Sequence, residues 1–467
     1  MSYARSNKKW RPIARTYRDQ VPTLVAVCTI LTLVAVFILH TLLNVGLYAD
    51  GANYLLQVLS HQDFYYGSDH PYRDGTYYVT QWPILLAIGL GERSIATLAV
   101  LHTAALTALP TICFAATTWI ARHNTVAVAA NLLVICCCFF TTIFFIIGEF
   151  HVLYALFWLC TVLIFCQPKG IWHFPVLIAA GLVMLRSYQL TVVTGCLLAF
   201  ASVVQVFQSQ SSSRRTLWIL VTLLFLSGIP FGLEGILAQL GAKKEKAFIS
   251  ALRTTLDNRI LLDLLGIFCL AAMAVILRNR LLALGVAAVA GYAAWRFSID
   301  VIGVYPQRAQ VLALGDQYGQ RAQVFPILLG AFLLVALARS SLLESIAQRT
   351  CQQWPMLVPL ALVLTVYLAD LKGWLGYVQA FCAELREPTE EPDRDAAFVT
   401  RREVQKFGWV WEFPTMSILL RDLGNDRTIS YPGYQGWAPF DPATATPDIQ
   451  PFKQSGGLCQ RFMALSL

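Results

Sequence analysis

Long uninterrupted apolar blocks constrain this chain more than any motif in it. They fall at about 21–47, 94–120, 125–147, 150–167, 171–185, 188–207, 216–233, 260–277, 281–298, 322–338 and 355–371. A helix needs roughly 20 apolar residues to cross about 30 Å of hydrocarbon, and most blocks approach that length. Short polar breaks separate them. In lipid such blocks satisfy their backbone polar groups only as helices. Charged residues make up 13% of the 467 residues against 57% hydrophobic, too few charges to cover a soluble protein of this size. The expected fold class is an all-α polytopic membrane protein of about eleven transmembrane helices. The fifth and sixth blocks are short and meet at Arg186-Ser187-Tyr188-Gln189, which leaves two spans or one broken pair open.

The placement of charge gives an orientation. Arg5, Lys8, Lys9, Arg11, Arg15 and Arg18 precede the first block, so the basic segment 1–20 is expected in the cytoplasm. No small-residue cleavage site follows, and further spans do, so the first block is not read as a cleaved signal. Counting onward, the loops at Arg122, Lys169, Arg214–Arg215, Arg278–Arg280 and Arg339–Arg349 all fall on the cytoplasmic side, basic and nearly free of acid. The net charge of +8 is thereby assigned to topology, and no nucleic acid is expected as a partner. An odd number of spans puts the tail on the opposite face. The expected organisation is a transmembrane domain over 21–371 with a first outer loop at 48–93, and a small extracytoplasmic C-terminal domain over 372–467.

Most of the twelve cysteines lie inside apolar blocks and read as small hydrophobic residues; no CxxC spacing suggests a metal. Cys382 and Cys459 lie in the tail, expected in an oxidising compartment, and are expected to form a disulfide.

The first outer loop is the most unusual segment. Ala49 to Leu59 reads as an amphipathic helix, with Tyr54, Leu55 and Val58 on one side and Asp50, Asn53 and Gln57 on the other. Thr76 to Leu90 reads as a second helix interrupted at Pro83, and both are expected to lie flat at the interface as juxtamembrane helices. Between them runs a polar, aromatic stretch that includes His70 and Arg73.

Asp50 stands just beyond the first span and opens the first of these helices; its plainest role is a helix N-cap, which does not exclude chemistry. Glu149 and His151 occupy a tight turn between the third and fourth blocks, at the same outer side, where an acid and an imidazole cost insertion energy unless they face a polar cavity. Arg186, beside Tyr188, Lys243, Lys244 and Lys246, and Arg321 place positive charge on the outer rim, against the topology rule. Snorkelling to headgroups accounts for some of them; a lipid phosphate accounts for the rest. Carboxylates beside cations at headgroup depth suit a reaction whose leaving group is a lipid phosphate.

On these residues the chain resembles the GT-C glycosyltransferases, which transfer sugars from polyprenyl-phosphate carriers on the outer face of the membrane. The resemblance rests on Asp50 after the first span, on the two-helix first loop, on Glu149 in the next outer loop and on an outer-face C-terminal domain. It covers about the first 190 residues; beyond them only the topology is alike. It implies Asp50 as catalytic base and Glu149 as a second catalytic acid. It further implies His151, Arg186, Tyr188, Lys243, Lys244, Arg321, Arg73 and His70 around the donor or acceptor. No DxD stands at Asp50 and no WWD-type signature in the tail, which favours a single-sugar donor and no cofactor, with a divalent metal left open. The implied partners are a polyprenyl-phosphate-linked sugar, the lipid bilayer, and a glycan, lipopolysaccharide or pilin-like protein acceptor. Asn-x-Ser/Thr sequons are absent, which favours a bacterial inner membrane with a periplasmic tail. A glycan polymerase or ligase would rely on a large late outer loop. A lipid-linked glycan flippase would call for repeats and midplane charges.

Overall fold

A computed structural model describes residues 11–65, 73–145, 149–166, 171–240, 285, 317–337, 357–386, 396–398, 413–420, 428–430, 449, 452 and 458–465. Helix α1 (Arg11–Leu42) leads through a 3-10 turn at Val45–Leu47 into α2 (Asp50–His61) and α3 (Asp74–Gly89). There follow α4 (Ile95–Ala121), α5 (Thr125–Val134), α6 (Glu149–Cys166), α7 (His173–Met184), α8 (Thr191–Gln208), α9 (Ser212–Ser227) and α10 (Ile229–Leu240). Later come α11 (Gln317–Leu337) and α12 (Leu357–Arg386). The described tail holds β1 (Ala396–Phe398), α13 (Phe413–Leu420), β2 (Thr428–Ser430) and α14 (Leu458–Met463), with β1 and β2 pairing in parallel, Ala396 opposite Thr428.

Among the described residues five helical stretches are long and apolar enough to cross a membrane: Thr23–Leu42, Ile95–Ala121, Thr191–Gln208, Ser212–Leu237 and Leu357–Arg386. Several apolar helices of this kind fit a multi-pass membrane protein. Their outer faces carry exposed Leu31, Ile38, Ile112, Phe200, Leu223 and Leu368, side chains suited to lipid. The blocks expected at 260–277 and 281–298 lie outside the described residues. Helix α7, at twelve residues, rises about 18 Å and falls short of the hydrocarbon thickness. The last block, expected at 355–371, continues as one helix to Arg386.

Helix ends follow local chemistry. Ser94 caps α4 by accepting from the Thr97 amide, and Asn124 caps α5 by accepting from Ala127 at 3.0 Å. Gly91, at φ 96, ends α3: its amide bonds Ile88 O while Glu92 N reaches Ala87 O, the paired closure that a left-handed residue allows. Helix α3 runs through Pro83 without a break, so the expected interruption is not found. Its packing against α4, α6 and α7 offsets the backbone bond that Pro83 cannot donate.

Polar ties lock the bundle. Asn131 of α5 accepts from Thr117 Oγ1 of α4 (2.8 Å) and Trp158 Nε1 of α6 (2.7 Å), and donates to Thr118 Oγ1 of α4 (2.6 Å). Helices α1 and α12 run parallel: Tyr367 OH donates to Val36 O and Trp374 Nε1 to Leu43 O, at the same sequence offset of 331 residues. The tail returns to this corner. The expected disulfide is present, Cys382 of α12 to Cys459 of α14 with Cα atoms 5.4 Å apart. Gln379 donates to Phe462 O and Leu465 O, and Arg461 donates to Leu42 O, a carbonyl left open at the end of α1. Helix α13 packs on α2, and the described tail shares the main hydrophobic core.

Candidate functional site

The segment that places Asp50 is built from close backbone approaches. Asn44 takes a left-handed conformation at φ 48, and Ala49 sits at φ 54, ψ −127, a costly conformation for a residue with a Cβ. Gly51 then packs against the Gly46 carbonyl with no room for a side chain, and a Cβ on Gly46 would meet Thr103 Oγ1 of α4 at 2.8 Å. His102 Nε2 of α4 lies 3.0 Å from Gly51 O. This knot between the 3-10 turn, α2 and α4 fixes the direction in which α2 starts.

Asp50 is the first helical residue of α2, and the cap position belongs to Ala49, which corrects the plain capping role. A carboxylate there is favoured by the helix dipole. The residue is partly exposed, whereas α2 behind it is buried nearly all round, Gln57 included at 5% exposure. Helix α2 is therefore covered by α13, and the polar outer side expected for it is not found.

Helix α3 joins α2 to a second group of charges. Tyr54, one turn after Asp50, and Tyr77, one turn after Arg73, hold their rings 5.6 Å apart, so these faces of α2 and α3 meet. At the start of α3, Gly75 N donates to Arg186 O at 2.9 Å and Thr76 Oγ1 to Ser187 O at 3.3 Å. A Cβ on Gly75 would run into the Val183 carbonyl. This docking assembles residues far apart in sequence. Arg186 Nη1 lies 3.3 Å from Asp74 Oδ2, with the Arg186 guanidinium 4.5 Å from the Phe231 ring centre; the Arg73 guanidinium lies 5.5 Å from that of Tyr188. Arg73, Arg186 and Tyr188 are thus brought together, with Asp74 among them. Burial pushes the Asp74 carboxyl above its ordinary value, and the charge and hydrogen bond of Arg186 only partly offset this.

His151 has gone inside. It is fully buried, with Nε2 3.0 Å from both the carbonyl and the hydroxyl of Thr142, and its ring centre lies 4.0 Å from that of Phe150 and 5.4 Å from that of Tyr154, tilted to both. Phe150 in turn meets Tyr188 at 6.3 Å, so His151 supports the wall behind the arginine group. Glu149 opens α6 and Arg321 lies in the first turns of α11, but their side chains lie outside the described residues; so do His70, Lys243, Lys244 and Lys246 entirely. The tail motifs at 408–411 and 431–437 are outside them as well.

Asp74 was missed as a site residue at the sequence level. In Arg73-Asp74-Gly75 it reads as the polar end of a loop, and nothing local announces a partner 112 positions away. Among the described residues no group of three His, Cys, Asp or Glu side chains is placed to hold a metal ion.

No protein-family model, no curated protein and no solved structure matches this chain.

Proposed function

We propose that the protein is a membrane glycosyltransferase that moves one sugar from a polyprenyl-phosphate carrier to an acceptor hydroxyl at the outer face. The observation that carries the reading is the placement of Asp50. It is partly exposed, immediately beyond the first apolar helix, on a helix start fixed by Gly46, Gly51 and His102, and on the helix face that meets the arginine-bearing start of α3.

The chemistry follows from that arrangement. Asp50 takes the proton of the acceptor hydroxyl, whose oxygen bonds to the anomeric carbon. The bond from that carbon to the phosphate oxygen breaks on the opposite side, the configuration inverts, and the phosphate leaves with the electron pair. Arg73 and Arg186 stabilise the charge gathering on the departing phosphate. Glu149 is a second acid near the same outer side, and Lys243, Lys244, Arg321 and His70 are further candidate contacts. His151 acts by holding Tyr188 through Phe150.

The parallel course of α1 and α12 supports an odd number of crossings between them, inclusive, and so a tail opposite a cytoplasmic N-terminus. The acceptor is then a glycan, lipopolysaccharide or secreted protein in a bacterial periplasm, met beside α13.

The test is mass spectrometry of glycolipids and surface proteins from cells carrying wild type, Asp50→Asn or a deletion. One defined sugar is expected to vanish with the deletion and to fall about 100- to 10,000-fold with Asp50→Asn at an unchanged membrane level. A sugar lost only with the deletion would sink Asp50 as the base and favour a polymerase or flippase.

A further inference from the structure

Asp74 stands where the proposed reaction would least want it: an acid beside the two arginines assigned to the phosphate. Its geometry suggests why it is there. The contact to Arg186 is a single long one of 3.3 Å rather than a paired fork, and the Arg186 side chain remains 48% exposed while that of Asp74 is only 15% exposed. The other carboxylate oxygen, Oδ1, is buried without a hydrogen-bond partner among the described residues. Half of this carboxylate has lost water and gained nothing, and burial raises its proton affinity accordingly. The backbone around it is held independently, by Gly75 N to Arg186 O and Thr76 Oγ1 to Ser187 O, so the docking of α3 does not need the ion pair.

We propose that Asp74 is a built-in counter-ion that holds Arg186 until a lipid phosphate monoester or diester takes its place between Arg186 and Arg73. The identity of that lipid rests on the glycosyl-transfer reading; the counter-ion role itself does not. Three features fit a phosphate at this spot. The Arg186 guanidinium lies 4.5 Å from the Phe231 ring centre and that of Arg73 5.5 Å from the Tyr188 ring centre, cation–ring contacts that limit their motion. The first turn of the sixteen-residue α3 adds its dipole to theirs. A phosphate offers Arg186 the paired bonds that Asp74 does not. An internal anion in competition with the ligand also speeds release: once the phosphate begins to leave, Asp74 recaptures the arginine.

The full-length protein in detergent, titrated with farnesyl phosphate, inorganic phosphate and farnesol and followed by intrinsic tryptophan fluorescence, tests this. Asp74→Asn is expected to lower the apparent Kd for farnesyl phosphate about three- to thirtyfold, the range for removing one nearby charge in a half-exposed site. Farnesol affinity should not move. Adding Arg186→Gln should erase the gain, while Glu234→Gln, an exposed acid one turn beyond Phe231 on α10, should leave affinity as in wild type. Unchanged or weaker binding by Asp74→Asn with a wild-type melting profile would overturn the counter-ion role, as would a gain that survives Arg186→Gln. Equal affinity for inorganic and farnesyl phosphate would overturn the lipid assignment. A gain in binding with no sugar transfer by any variant would remove the transferase reading and leave Asp74 as the counter-ion.

Discussion

Ala49 and Gly51 flank the residue on which the proposed chemistry depends, and they act in different ways. Ala49 holds a backbone conformation that costs on the order of 1–3 kcal/mol, a cost sustained only where the surroundings over-determine it. Gly51 is required by contact, since the Gly46 carbonyl occupies the space of any Cβ. Gly51→Ala is therefore expected to destabilise by about 1–3 kcal/mol, read as a lower thermal midpoint in detergent. Gly89→Ala, where nothing lies within 4 Å, serves as the comparison and should be neutral or slightly stabilising. Equal midpoints for the two variants would mean that the knot at Gly46 and Gly51 does not constrain α2. Asp50 was visible in the sequence as an acid after a span; that Ala49 takes the cap was not, because dihedral angles here answer to α4 rather than to local preference.

At the scale of elements, the polar ties between apolar helices set the registry. Asn131, at 1% exposure, joins α4, α5 and α6 by three hydrogen bonds in the bundle interior. Asn131→Ala leaves the Trp158 indole N–H without its partner and should cost about 1–2 kcal/mol, measured by unfolding of the purified protein. A wild-type unfolding curve would show that packing alone fixes these three helices. Element boundaries were legible wherever a cap or a composition change marks them: the expected block 94–120 appears as Ile95–Ala121 and 188–207 as Thr191–Gln208. Pro83 misled because a helix supported on several sides keeps its course past one missing donor. The sidedness of α2 misled because a polar residue such as Gln57 still enters the interior, within reach of Asn53 Oδ1 at 3.5 Å.

At the scale of the whole molecule, α1 and α12 lie side by side in the same direction, and the disulfide, Gln379 and Arg461 bring α14 back onto the end of α1. This arrangement ties the tail to the segment that leads into Asp50. It predicts that a fluorescent protein fused to the N-terminus will fold in the cytoplasm while an alkaline phosphatase fused after Ser430 will be active outside. Both reporters scoring on one side would contradict the parity argued from the parallel helices, and an N-terminal reporter scoring outside would move Asp50 to the wrong face for the proposed donor.

Read alone, the amino-acid sequence already yields the helical class, several helices apolar enough for a membrane, most helix positions, the Cys382–Cys459 partnership and the candidacy of Asp50. These are local or compositional properties: hydropathy over a span's length, a capping residue, two cysteines set apart from the apolar blocks. Folding alone brings Arg73, Asp74, Arg186 and Tyr188 into one group, buries His151 and covers α2 with α13. Those outcomes depend on contacts between residues tens to hundreds of positions apart, and such contacts are set by how helices dock, through glycines such as Gly51 and Gly75 whose missing side chains let backbones touch.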